Sequence, residues 1–182
     1  MSAEVEAAIA QFVAPLQSAG QGLRWVRPAN LHLTVRFLGD AIEGHRLSLL
    51  GPSLERISEQ TAPFVIHARG IGGFPNIDRP QIIWVGLLGE PLIRLAQQVD
   101  SAAVQAGFAA ERRPYSPHLT IGRVRNLHQW PHIRRQLVES PAQDFGAAPV
   151  SEMILYRSIL GGEASQYVPL ARYQLSGGSS AS

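Results

Sequence analysis

Two stretches of this chain repeat one pattern. "RPANLHLTV", from Arg27 to Val35, aligns without a gap to "RPYSPHLTI", from Arg113 to Ile121. Arg-Pro matches Arg-Pro, the next residues differ, His-Leu-Thr matches His-Leu-Thr, and a β-branched residue closes each copy. Alternation of apolar and polar side chains marks a strand with one buried face. Each copy therefore reads as a strand whose leucine and valine or isoleucine turn inward. Its histidine and threonine then share the opposite face, about 7 Å apart at their Cα atoms. A chain that builds this strand twice is expected to build similar surroundings for it twice.

The remaining periodicities supply those surroundings. Val5, Ile9, Phe12, Val13 and Leu16 fall on one face of a helix over Ala3 to Ser18, with Gly20 as its stop. The first motif strand runs from Leu31 to Phe37. Asp40 is placed to cap a helix from Ile42 to Glu59, which Gly51-Pro52 should kink or split. Strands follow at Phe64 to Ala68 and Gln81 to Leu88, joined by the loop "GIGGFPNIDRP". Pro91 opens a helix through Leu92, Leu95, Val99 and Val104 to Gly107. The second motif strand spans Pro117 to Val124. A short helix over Pro131 to Val138 and strands at Glu152 to Ile159 and Tyr167 to Tyr173 complete the series. The order predicts an α+β fold of two pseudo-symmetric lobes, each an antiparallel sheet with flanking helices, facing each other across a central cleft. No linker separates the halves, so residues 1–175 are expected to form one bilobal domain, with 176–182 ("SGGSSAS") a disordered tail.

Composition narrows the chemistry. There is no cysteine, which excludes disulfides, thiolate nucleophiles and cysteine metal sites. Glu4 and Glu6 stand where a signal peptide would be basic, and no apolar run reaches membrane-spanning length. A cytoplasmic monomer with no membrane contact is the expectation. The net charge is +2, with arginine as the only basic residue besides histidine. A balance that small does not itself predict a nucleic-acid binder; any such site must be a local patch. Guanidinium forks do suit phosphate.

The core explains leucine, valine and isoleucine in the motif, but not His32, Thr34, His118 and Thr120. Histidine on a strand is often only hydrogen-bonded there, and threonine is a good strand residue; one copy alone would carry little. Two copies bring together two imidazoles and two hydroxyls. Splitting a phosphodiester with water needs a base for the water and an acid for the leaving alkoxide. Imidazole titrates closest to neutrality, so a pair can hold opposite protonation states. Threonine hydroxyls can donate to the non-bridging oxygens as charge builds at phosphorus. Neither copy has a neighbouring Asp, Glu or second His at ligand spacing, so no metal and no cofactor is expected. His45, His67, His128 and His132 lack the repeated context and read as surface or core. "HQWPH" has no third ligand nearby.

"HLTV" and "HLTI" resemble the paired His-x-Thr-hydrophobic signature of the two-histidine phosphoesterases. With "NLHLTVRFLGD", "GGFPNIDRPQIIWVGL", "RRPYSPHLTIGRVR" and "LYRSIL…YVPLARY", nearly the whole chain, from about Arg24 to Leu175, is similar to the bacterial RNA 2′,3′-cyclic phosphodiesterases, first named 2′-5′ RNA ligases. The resemblance implies an RNA 2′,3′-cyclic 3′-phosphodiesterase acting on RNA ends or nucleotides, leaving a 2′-phosphate. The reverse reaction would form a 2′-5′ linkage. It makes His32 and His118 the catalytic pair, with His32 the acid; the residues alone leave that assignment open. It makes Thr34 and Thr120 phosphate binders and Arg123 a substrate contact. Strict alternation instead puts Arg123 opposite His118, so a bulge or a twist at Gly122 must bring it round. Alternation places Arg36 on the His32 face, as a second candidate for substrate. Tyr115 and, more weakly, Phe74 are candidates to stack on a nucleobase. The family usually opens with a β-strand, whereas this sequence opens on the helix: either the natural start lies further upstream, or the first lobe lacks that strand, which would expose a sheet edge. Two other functions fit the residues: a binding module that holds nucleotides or RNA ends without turnover, and a phosphodiesterase acting on 2′-5′ oligoadenylate or ADP-ribose cyclic phosphate.

Overall fold

The computed structural model describes residues 1–19, 22–40, 42–128, 130–138, 142–159 and 166–178. Its elements follow the α+β order, and its sheets are antiparallel. The chain divides into two compact units, residues 1–35, 65–93 and 115–149 in one, and 36–64, 94–114 and 150–182 in the other.

The first unit is built on a five-stranded sheet. It contains α1 (Ala3–Ala19), β1 (Leu23–Trp25), a short 3-10 turn (Pro28–Asn30), β2 (Phe64–Phe74), β3 (Ile82–Leu88), β4 (His118–Val124), α4 (Trp130–Val138) and β5 (Asp144–Val150). The strand order is β1-β4-β3-β2-β5. Val5, Ile9, Val13 and Leu16 are buried along one side of α1, as the helical spacing predicts. Phe12 meets Phe145 of β5 edge-on at 5.4 Å. The expected stop at Gly20 lies outside the described residues. Ile66, Ala68, Ile83, Val85, Leu119 and Ile121 form the buried side of the sheet, and Ile133 and Leu137 bury one side of α4.

The second unit holds α2 (Gly44–Gln60), most of α3 (Glu90–Gln105) and a hairpin of β6 (Glu152–Ile159) and β7 (Gln166–Gln174). Gly107, at φ 89°, follows α3 in the left-handed conformation glycine tolerates best. Among the described residues, no helix is long and apolar enough to cross a membrane.

Several expectations change. The helix α2 runs through Pro52 as one element, and its N-cap is Glu43, not Asp40, without a side-chain capping bond. Strand β2 continues to Phe74, so much of the expected glycine-rich loop is strand. Strands β1 and β5 were not foreseen, one being three residues long and the other rich in alanine and glycine. The expected strand from Leu31 to Phe37 reduces to a single antiparallel bridge, Leu33 to Leu119. The next stretch of that β4 edge, Gly122 to Val124, pairs with β1. The two motif segments therefore neighbour each other within one unit. At the C-terminus, Ser176 and Gly177 donate backbone bonds to Ser58 and Thr61, so the start of the expected tail is anchored; residues 179–182 lie outside the described residues.

Candidate active site

The bridge between Leu33 and Leu119 fixes the site. Directly opposed residues on antiparallel strands share a face. With Leu33 opposite Leu119, His32 comes across from Thr120 and Thr34 across from His118. Leu119 is fully buried, so this quartet lies on the other, more open face.

The repeat in sequence becomes a repeat in hydrogen bonding. His32 Nδ1 lies 2.8 Å from the Asn30 carbonyl oxygen, and His118 Nδ1 lies 2.7 Å from that of Ser116. Both carbonyls come from the same motif position, two residues before the histidine. A carbonyl only accepts, so each Nδ1 carries hydrogen. Nε2 of each ring is then the nitrogen chemically able to exchange a proton.

Tyr115 ties the segments together. Its hydroxyl donates to the Thr34 carbonyl at 3.1 Å, and burial raises its phenol well above the ordinary value. The hydroxyl is thus committed to backbone, where it stays protonated and positions the first motif.

Aromatic rings surround His118. Phe74 stands edge-on to its imidazole at 5.0 Å and 80°, and Trp84 lies at 6.4 Å. Phe74 and Trp84 are 5.3 Å apart. Trp84 pairs with Thr120 on one side and Gly72 on the other. The loop after Phe74 is fastened by α4: Trp130 Nε1 donates to the Ile77 carbonyl at 3.0 Å, and Arg134 pairs with Asp78 at 2.7 Å.

A bulge on β4 sets the side of the sheet that Arg123 takes. On β3, Ile83 and Trp84 are consecutive, but their partners on β4 are Gly122 and Thr120. Ile121 is the extra residue, and such an insertion resets the alternation beyond it. Arg123 pairs with Ile82, which shares the face of Trp84, so Arg123 stands on the His118 and Thr120 face. Arg24, opposite Arg123 on β1, joins it there.

Arg36 is engaged by acidic and backbone groups. Its side chain is 9% exposed, with Nε 2.8 Å from Asp100 Oδ1 and Nη1 3.0 Å from Glu111 Oε2. The contact to Asp100 is an ion pair without the alignment of a hydrogen bond. Nη2 donates to the Ala109 carbonyl. A guanidinium held this way is committed to the fold. The sequence pattern also passed over Trp84 and Arg24. Trp84 was detectable as the outward residue between buried Ile83 and Val85. Arg24 had no signal of its own, because β1 is too short to show alternation.

Of the other histidines, His45, His67, His128 and His132 are all exposed. Among the described residues, no three His, Cys, Asp or Glu side chains are grouped to hold a metal ion.

The family model described as LigT like phosphoesterase matches residues 1–84 and 87–152. The RNA 2′,3′-cyclic phosphodiesterase of Archaeoglobus fulgidus is 32% identical over 179 residues, covering 96% of this chain and 98% of that protein. The protein of the same name from Methanothermobacter thermautotrophicus is 33% identical, covering 88% and 86%. Among solved structures, a Thermus thermophilus protein superposes with TM-score 0.81 at 27% identity, covering 97% of this chain and 94% of its own. E. coli LigT complexed with 3′-AMP superposes with TM-score 0.76 at 25% identity, covering 96% and 93%.

Proposed function

This chain belongs to the LigT-like phosphoesterases, and we propose that it hydrolyses the 2′,3′-cyclic phosphate at RNA ends or on nucleotides to a 2′-phosphate, using His32 and His118 as its acid–base pair. The observation that carries this reading is the matched anchoring of the two rings. Each Nδ1 donates to the carbonyl two residues back, which leaves two Nε2 atoms for the reaction.

One Nε2 takes a proton from water as the oxygen attacks phosphorus. The bond from phosphorus to O3′ breaks, and the other Nε2 gives its proton to O3′. Water thus adds across that bond, hydroxyl to phosphorus and hydrogen to O3′. His32 takes the acid role and His118 the base. Thr34 and Thr120 donate to the non-bridging oxygens, where charge accumulates at the transition state. Arg123, brought onto the same face, offsets the negative charge of the bound substrate. The reaction needs no redox change and no metal-bound hydroxide.

The test is to incubate the protein with 2′,3′-cyclic nucleotides in EDTA and identify the product by NMR. The 2′-phosphate is expected. A 3′-phosphate would contradict the leaving-group assignment, and binding without turnover would make the protein a nucleotide-binding module instead.

A further inference from the structure

Arg24 and Arg123 face each other directly across β1 and β4. We propose that they form a second anion site, for the phosphate next to the terminal cyclic phosphate, so that an oligoribonucleotide end is taken in preference to a mononucleotide. This rests on the two-histidine reading above.

Like charges directly opposed on antiparallel strands destabilise a sheet. Here nothing among the described residues offsets them: neither guanidinium makes an ion pair, whereas Arg36, Arg46, Arg134 and Arg172 all do. An anion between them would remove the repulsion, and paired guanidinium forks match phosphate in both charge and shape.

The reverse side of the sheet holds the pair in place. Trp25 pairs with Gly122, and a β-carbon on Gly122 would lie 3.1 Å from the Trp25 ring. The indole therefore packs closely against β4 and keeps Arg24 in register on the opposite face.

Position then gives the ligand. Along that face come Thr34 with His118, then Thr120 with His32, then Arg123 with Arg24. On β3 the step from the partner of Thr120 to the partner of Arg123 is Trp84 to Ile82, two strand rises or about 7 Å. That suits the separation of neighbouring phosphates on a flexible polynucleotide strand. Contacts of this kind read backbone and carry no base preference.

The experiment compares the 2′,3′-cyclic phosphates of a mononucleotide and a dinucleotide, with the wild type, Arg24→Gln and Arg24→Lys. Binding of the matching 2′-phosphates is measured calorimetrically in parallel. A charge-assisted contact predicts a wild-type preference for the dinucleotide of about 10-fold or more in kcat/KM, expressed through KM. The ratio should fall towards 1 in Arg24→Gln and recover in part in Arg24→Lys. Calorimetry should show the same loss for the dinucleotide 2′-phosphate. Equal binding of the two ligands by the wild type, or an unchanged ratio in Arg24→Gln, would overturn the second site. Selective binding that Arg24→Gln abolishes, without turnover of either substrate, would uphold the site and reject the hydrolytic reading.

Discussion

Trp84 lies so close over Gly72 that a β-carbon on that glycine would stand 2.2 Å from the indole ring. The ring in turn lies 6.4 Å from His118. Glycine is therefore required at residue 72 by a close approach, one packing layer behind the imidazole.

Gly72→Ala should push the indole out of its place and disturb His118 without altering any residue of the quartet. We expect a loss of about 10²-fold in kcat, since a displacement near 1 Å has that effect on aligned groups. The clashing atoms belong to the six-membered ring of the indole, so adding Trp84→Phe should remove the clash. The indole N–H has no acceptor among the described residues, and that change orphans no partner. Steady-state kinetics of the single and double variants is the check; a double variant no better than Gly72→Ala would reject the coupling.

Thr34→Val and Thr120→Val keep a good strand residue and remove one hydroxyl each. Each should lower kcat by about 10–10³-fold, the range for one transition-state donor, with melting temperature little changed. Two variants with wild-type kcat would leave the hydroxyls only a structural role.

Tyr115→Phe deletes the bond to the Thr34 carbonyl and should destabilise the fold by about 1 kcal/mol. The pH dependence has a definite sign. Burial raises the Tyr115 phenol above its ordinary value of 10.0, so above that pH the unfolded chain releases a proton that the folded one keeps. Stability should be constant with respect to this group below pH 10 and fall as pH rises beyond it. Burial and then the Glu55 carboxylate raise Tyr173 in the same direction. Urea unfolding between pH 7 and 11 should therefore show an alkaline decline, reduced but not abolished in Tyr115→Phe. An identical decline in that variant would contradict the assignment.

Arg36→Met removes the cation between Asp100 and Glu111. A loss of about 1–3 kcal/mol is expected, less than for a fully buried pair because both carboxylates are partly exposed. Turnover per folded molecule and KM should stay near wild type. A large rise in KM with unchanged unfolding would return Arg36 to the substrate.

Helices such as α1 and α3 repeat their apolar residues often enough to be read directly. The candidate quartet stands out in the sequence because its pattern is written twice. Alternation gives the face of a residue, however, and not its partner. The segment around Leu33 has the alternation of a full strand but pairs at a single residue, Leu119. The bulge at Ile121 turned Arg123 to the histidine face, and a side-chain pattern cannot show an extra backbone residue. The commitment of Arg36 depends on Asp100 and Glu111, far along the chain. Strand β5 was missed because alanine and glycine carry little strand signal.

The most direct test of the two-histidine account is the pH–rate profile in EDTA of the wild type, His32→Ala, His118→Ala and the double variant on one cyclic nucleotide. The account predicts wild-type activity that survives the chelator and a bell-shaped profile belonging to the coupled pair. Each single variant should lose about 10²–10⁴-fold, and the double should be little worse than either, because the pair acts as a unit. Near-wild-type turnover in either single variant, or inactivation by EDTA reversed by zinc or manganese, would contradict it.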